Sequence, residues 1–167
     1  MQVKGGENAR GDCWNTPPHY TERLLYMWRG LGGIHLDPCS NPTSLVPATQ
    51  KVMLPNSGLD VSWDGANVFC NPPWSDPAPW YKKAAMQKNG ATVMLTHAAT
   101  GSKWWQQWVW PYASAMCFHS PRLSFLDAQG QPIKGNPRDC ISTYYGRKHT
   151  LHNFREVFGA LGHVVLL

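Results

Sequence analysis

The run Ala66-Asn67-Val68-Phe69-Cys70 halts at Asn71-Pro72-Pro73-Trp74. A short apolar run containing Val and Phe and closed by two prolines reads as a buried strand ending in a stiff loop. Proline fixes φ at about −65° and removes a backbone donor, so regular structure stops there. The tetrapeptide joins an amide side chain, carbonyls held in place by proline geometry, and a large flat ring. Those parts suit the gripping of a planar base by its amino group. An oxygen of Asn71 and the carbonyl of Pro72 can both accept from an exocyclic NH2, and Trp74 can stack on the ring. The plainer alternative is a strand that ends in a Pro-Pro turn with a core tryptophan. The rest of the chain decides between them.

The remaining pattern alternates helices and strands. Pro17-Pro18 opens a helix through Trp28, with apolar residues at Tyr20, Leu24, Met27 and Trp28 and a stop at Gly30 to Gly33. Ile34 to Asp37 reads as a short strand. Residues 38–65 are rich in Pro, Ser, Asn and Gly and read as irregular, with room for one short element. Trp80 to Lys88 reads as a helix ended by Asn89-Gly90. Ala91 to Thr96 is an apolar run of parallel-strand type. Ser102 to Trp110 reads as a helix with Ser102 as N-cap and Pro111 as its stop. Ala113 to His119 reads as a strand, and Asp127-Ala128-Gln129-Gly130 marks a β-hairpin between 123–126 and 132–133. Cys140 to Tyr145 is a strand, His152 to Leu161 a helix, and His163 to Leu167 a last strand. The expected fold class is therefore α/β, a mostly parallel sheet with a late β-hairpin. Residues 1–11 read as a flexible arm and 12–167 as a single domain. Ligands in such sheets sit at the carboxyl ends of the strands, where Asp37, Asn71, Thr96 and His97 fall.

Composition narrows the partners. The chain has 167 residues and a net charge of +5. Between Asp76 and Asp127 there is no acidic residue, while Lys82, Lys83, Lys88, Lys103 and Arg122 fall there with five of the nine tryptophans. Cations interleaved with aromatic rings point to a nucleic-acid partner. For most of the tryptophans in Trp104-Trp105-Gln106-Gln107-Trp108-Val109-Trp110 a core role is the simpler expectation. Lys103, Arg122, Lys134, Arg138, Arg147 and Lys148 are the candidates for phosphate contacts. The five cysteines are dispersed, with no C-x-x-C, and read as buried reduced thiols. No Cys/His spacing calls for a metal. No stretch approaches the ~18 apolar residues that span a bilayer. Met1 to Gly11 is polar without an apolar signal-like core, so no membrane partner and a cytoplasmic location are expected.

Three pieces stand in chain order: Asp12-Cys13-Trp14-Asn15-Thr16-Pro17, then Leu36-Asp37-Pro38-Cys39-Ser40-Asn41-Pro42, then Asn71-Pro72-Pro73-Trp74. In that order the chain resembles the small phage and prophage Dam-like DNA N6-adenine methyltransferases, which use S-adenosylmethionine. Gly58-Leu59-Asp60-Val61-Ser62-Trp63 and Pro121-Arg122-Leu123-Ser124-Phe125 match two further pieces of the family pattern, and the resemblance runs from residue 12 to about 145. It implies a Rossmann-like methyltransferase sheet. With little chain between Asp37 and Asn71, that sheet is expected to be abridged.

The resemblance also implies roles. Asn71, Pro72, Pro73 and Trp74 become the catalytic loop that holds a flipped adenine by its N6 amino group. Asp37, with Pro38, becomes a partner for the amino group of the cofactor's methionine part. Trp14, Asn15, Thr16 and Pro17 fall on its carboxylate side, and Asn71 borders the same site. Asp60 or Asp64 is implied for the ribose hydroxyls. The loop after Asp37 departs from the usual methyltransferase pattern, because it contains no glycine where close backbone approach is common. No separate target-recognition segment stands out, which implies short or relaxed sequence selectivity. The same loop chemistry also fits cytosine N4, an adenine in RNA, or a protein glutamine amide. The glycine-free loop leaves open a nucleic-acid-binding relative without cofactor.

Overall fold

The computed structural model describes residues 14–133, 138–146 and 148–167. The arm over 1–11, Asp12, Lys134 and Arg147 lie outside the described residues, and of Lys148 and His149 the backbone alone is described. Among the described residues, seven strands form one sheet. They are β1 (Leu36–Asp37), β2 (Gln50–Lys51), β3 (Asn67–Cys70), β4 (Ala91–His97), β5 (Ala115–His119), β6 (Cys140–Tyr145) and β7 (Gly162–Leu166). The spatial order is β2-β1-β3-β4-β6-β5-β7. Strand β1 pairs parallel with β2 and β3, and β3 pairs parallel with β4. Strand β6 lies antiparallel between β4 and β5, and β7 closes the far edge antiparallel to β5. Strand β5 thus runs with β1 to β4. The sheet is mixed and mostly parallel in strand direction, with helices on both faces, consistent with a Rossmann-like fold.

Among the described residues, four helices cover it: α1 (Pro18–Met27), α2 (Ala78–Met86), α3 (Lys103–Trp108) and α4 (Lys148–Phe158). Pro17 caps α1 in an extended conformation, and Pro18 occupies the first turn, where no backbone donor is lost. Tyr20, Leu24 and Met27 are buried at helical spacing. Helices α1 and α4 pack together on one face, where the core holds Tyr20, Phe69, Val93, Phe154 and Phe158. Helices α2 and α3 pack together on the other, over Trp63, Val68, Met94, Trp105 and Val109. Between β1 and β3 the described chain has one two-residue strand and no helix, so the expected irregular stretch carries its single short element at β2.

Three local expectations shift. Helix α4 starts at Lys148 rather than His152, because its first turn is anchored by a hydroxyl contact between Tyr144 and buried Thr150, which leaves no apolar signature. Helix α3 stops at Trp108, before Pro111. Over 123–133 no strand pair forms; one isolated bridge joins Leu126 to Pro132, and a second joins Leu126 to Asn15. Pro132 has no N–H to extend the ladder, and the other edge of Leu126 is taken by Asn15.

Candidate active site

Strands β1, β3 and β4 are parallel neighbours, so their carboxyl ends bring Asp37, Asn71 and His97 to one edge of the sheet. That edge is where open α/β sheets place their ligands.

At the end of β3, Asn71 is half-buried and both ends of its amide are engaged. Its Oδ1 accepts from Trp74 Nε1 at 3.1 Å, and its Nδ2 donates to the carbonyl of Trp14 at 3.4 Å. The amide is thereby oriented, and an amide oxygen has a second lone pair to offer. Pro72 is buried, and among the described residues no backbone amide donates to its carbonyl. A carbonyl without a backbone donor keeps its lone pairs for other donors. Pro73 turns the chain back by accepting from the Asp76 amide at 3.3 Å.

Trp74 is enclosed by rings. Phe125 meets it edge-on at 5.5 Å, His97 lies 5.6 Å away, and Trp14 meets it edge-on at 6.1 Å. Phe125 is buried and also touches Trp14 at 5.6 Å. His97 Nδ1 is buried with no hydrogen-bond partner among the described residues. Burial lowers the His97 pKa, and the positive charge of Arg138 lowers it further. A lowered value keeps this ring neutral at physiological pH.

On the β1 side, Asp37 is only 3% exposed. Its carboxylate accepts from the Cys39 amide at 3.2 Å and from the Ser44 hydroxyl at 3.4 Å. Burial raises its pKa, and the Ser40 and Ser44 hydroxyls, the Cys39 amide and the Lys51 charge only partly offset that. A buried carboxylate with little cationic company gains from an ammonium group. The glycine-free loop after it is braced by side-chain amides. Asn15 donates to Thr43 Oγ1 at 3.0 Å and to the Asp127 carbonyl at 3.2 Å, and it accepts from Asn41 Nδ2 at 3.0 Å. Asn41 Oδ1 in turn accepts from the amide and hydroxyl of Thr43 at 2.9 and 2.8 Å. Asn15 and Leu126 exchange backbone hydrogen bonds at 2.9 Å in each direction. Gly58 packs closely on the start of this loop, where an added Cβ would lie 2.1 Å from the Pro38 carbonyl oxygen.

Placement separates the predicted residues. Trp14, Asn15, Thr16, Pro17, Asp37, Pro38 and Asn71 to Trp74 gather at the carboxyl edge. The amide of Asn15 is taken up by the brace. Asp60 is exposed in a turn that begins at Ser57 and passes Gly58 beside Pro38, on that same edge. Asp64 sits at the other end of the sheet, where its Oδ1 accepts from the Lys88 amide at 2.8 Å ahead of β4. Of the cations, Lys103 is exposed at the start of α3, and Arg138 stands close enough to His97 to act on it. Arg122 is exposed and paired with Asp139 at 2.7 Å. Ala98 donates to the Asp139 carbonyl at 3.0 Å, which brings this pair to the end of β4. Lys148 begins α4 just beyond Tyr145, which pairs with Thr92 at the opposite end of β4. Asn41, Thr43 and Phe125 had no expected role, and His97 was expected only at the ligand-bearing strand ends. Strand-end position was the available signal for His97, and the Asn-x-Thr spacing for the brace.

Residues 5–148 match the family described as DNA N-6-adenine-methyltransferase (Dam). A protein of Haemophilus phage HP1 (strain HP1c1), named DNA N-6-adenine-methyltransferase, is 23% identical over 133 residues, covering 76% of this chain and 73% of the phage protein. No solved structure matches the chain.

Proposed function

The chain belongs to the DNA N-6-adenine-methyltransferase (Dam) family, and on that premise we propose that the carboxyl edge of β1, β3 and β4 methylates the N6 amino group of an adenine turned out of the DNA helix. The observation that carries this reading is the pair of acceptors at the end of β3. The Asn71 amide is held by Trp74 Nε1 at 3.1 Å, next to a Pro72 carbonyl without a backbone donor among the described residues.

Two acceptors facing an exocyclic amino group draw its nitrogen toward a tetrahedral arrangement and aim the lone pair away from them. The geometry is set before the substrate arrives, because both acceptors are fixed by proline or by hydrogen bonds. Trp74, held in its ring enclosure, gives the extruded base a surface to stack on, since a base inside a duplex cannot be reached. S-adenosylmethionine, when bound, supplies a methyl group on positively charged sulfur, so the amino nitrogen needs no prior deprotonation. The chemistry of the β1 side fits that group. Asp37, followed by Pro38, is a buried carboxylate suited to an ammonium, and the Trp14-Asn15-Thr16-Pro17 segment is assigned to the cofactor's carboxylate side. Asp60 stands on the same edge for the ribose hydroxyls.

The test is transfer of tritium from labelled S-adenosylmethionine into DNA. Incorporation by the native chain and its loss in Asn71→Ala are expected. Cofactor binding without incorporation into any DNA would overturn the reading.

A further inference from the structure

Helix α3 begins beside the base site and leads away from it. Trp104, on its first turn, lies 6.3 Å from His97, which itself lies 5.6 Å from Trp74. Trp104, Trp108 and Tyr112 follow at four-residue spacing, and the turn after α3 keeps a helical bond, Ala113 N to the Val109 carbonyl at 2.9 Å. Residues so spaced share one face.

The rings on this segment divide by role. Trp105 is fully buried and belongs to the core, whereas Trp110 is 44% and Tyr112 45% exposed. Tyr112 stacks on Trp108 at 6.0 Å with 27° between planes, and Lys82 Nζ from α2 lies 5.8 Å from the Trp108 ring centre. The Trp108 carbonyl is fixed by the Tyr145 hydroxyl at 2.8 Å. No acidic residue occurs from 77 to 126, the stretch that builds both helices. Exposed, pre-stacked rings beside a lysine, on a stretch of chain without acidic residues, fit a polyanion that carries flat bases.

We propose that the α2–α3 flank is a second DNA contact, on which bases of a strand leading away from the flipped adenine stack on Tyr112, with Trp108 behind it and Lys82 at the backbone. The proposal rests on DNA being the substrate. The flank sets how tightly DNA is held. It takes no part in methyl transfer, because α3, at about 9 Å long, separates Tyr112 from the base site.

The experiment uses the full chain with a fluorescein-labelled, adenine-containing single strand and its duplex, read by anisotropy, beside tritium transfer over a range of DNA concentrations up to saturation. Tyr112→Ala and Lys82→Ala are each expected to weaken single-strand binding and raise KM for DNA by about tenfold, the size of one lost stacking or phosphate contact. Their kcat should stay unchanged, and Tyr112→Phe, which keeps the ring, should bind like the native chain. Unchanged affinity in Tyr112→Ala and Lys82→Ala overturns the proposal. So does a change in the sedimentation of the DNA-free chain in Tyr112→Ala, which would make the flank a contact between copies. A native chain that binds DNA through this flank yet transfers no methyl group would count against the methylation reading while leaving the contact standing.

Discussion

The loops after β1 and β3 lie at the ends of adjacent parallel strands, yet they are held by different means. The β3 loop is fixed by covalent stiffness and rings: two prolines, and a tryptophan enclosed by Trp14, His97 and Phe125. The β1 loop also carries prolines, Pro38 and Pro42, but it has neither glycine nor aromatic ring at its centre. Side-chain amides from Asn15 and Asn41 tie it to Thr43 and Asp127, and Gly58 packs closely on its start at Pro38. A base needs a flat, preorganised seat that excludes water. A charged, flexible cofactor tail needs a buried counter-charge and a loop of fixed shape. On the proposed reading, the β3 loop would seat the base and the β1 loop the cofactor tail.

The largest expected effect falls on the β3 side. Asn71→Ala removes one of the two acceptors and frees Trp74 Nε1, so kcat should drop by about 10²- to 10³-fold, the scale of losing one preorganised polar group. Binding of S-adenosylmethionine should change far less. Equal losses in both would make the two loops a single unit and break the contrast.

Asp37→Asn should separate stability from binding. The folded carboxyl has its pKa raised by burial. Its protonated form is therefore favoured by folding, and that stability is present below the unfolded value of about 3.9 and is lost as pH rises through the folded value. At neutral pH the cofactor-free Asn variant should melt at a higher temperature than the native chain. The same variant should bind S-adenosylmethionine about ten- to a hundredfold more weakly, because a charge-assisted hydrogen bond is worth about 1.5–3 kcal/mol. Thermal melts with and without cofactor would measure both effects. A lower melting point without cofactor would mean that the carboxylate stabilises the loop by itself.

Gly58→Ala pushes a methyl group into the Pro38 backbone, and overpacking of this kind costs about 1–3 kcal/mol. Denaturant titration should show that loss, and cofactor affinity should fall with it. The smallest effect is expected from Asn41→Ala, which removes part of the brace at about 1 kcal/mol per net hydrogen bond. It should raise KM for S-adenosylmethionine several-fold and leave kcat alone. A fall in kcat instead would place the brace on the base side.

The sequence foretold the two sides unequally, for physical reasons. The β3 loop was legible because Pro-Pro punctuates a buried run unambiguously and Asn and Trp follow at fixed positions. Helix α1 was legible because its buried residues keep helical spacing behind a proline. The brace was not, because Asn15, Asn41 and Asp127 meet only when the chain is folded, and each alone reads as a turn residue. Asp60 and Asp64 could not be separated on paper either. They stand close in sequence, and the turn at Gly58 to Trp63 carries them to opposite ends of the sheet. Strand β2 is exposed on both residues and leaves no hydrophobic alternation to detect. The antiparallel insertion of β6 between β4 and β5 is a long-range pairing that no local pattern encodes.

On the proposed function, the acceptors at the end of β3 present an adenine N6 for methylation. Nucleoside mass spectrometry of DNA incubated with S-adenosylmethionine and either the native chain or Asn71→Ala tests it most directly. The expected result is N6-methyladenine with the native chain and none above background with the variant. Methylation confined to cytosine, or N6-methyladenine undiminished in Asn71→Ala, would contradict it.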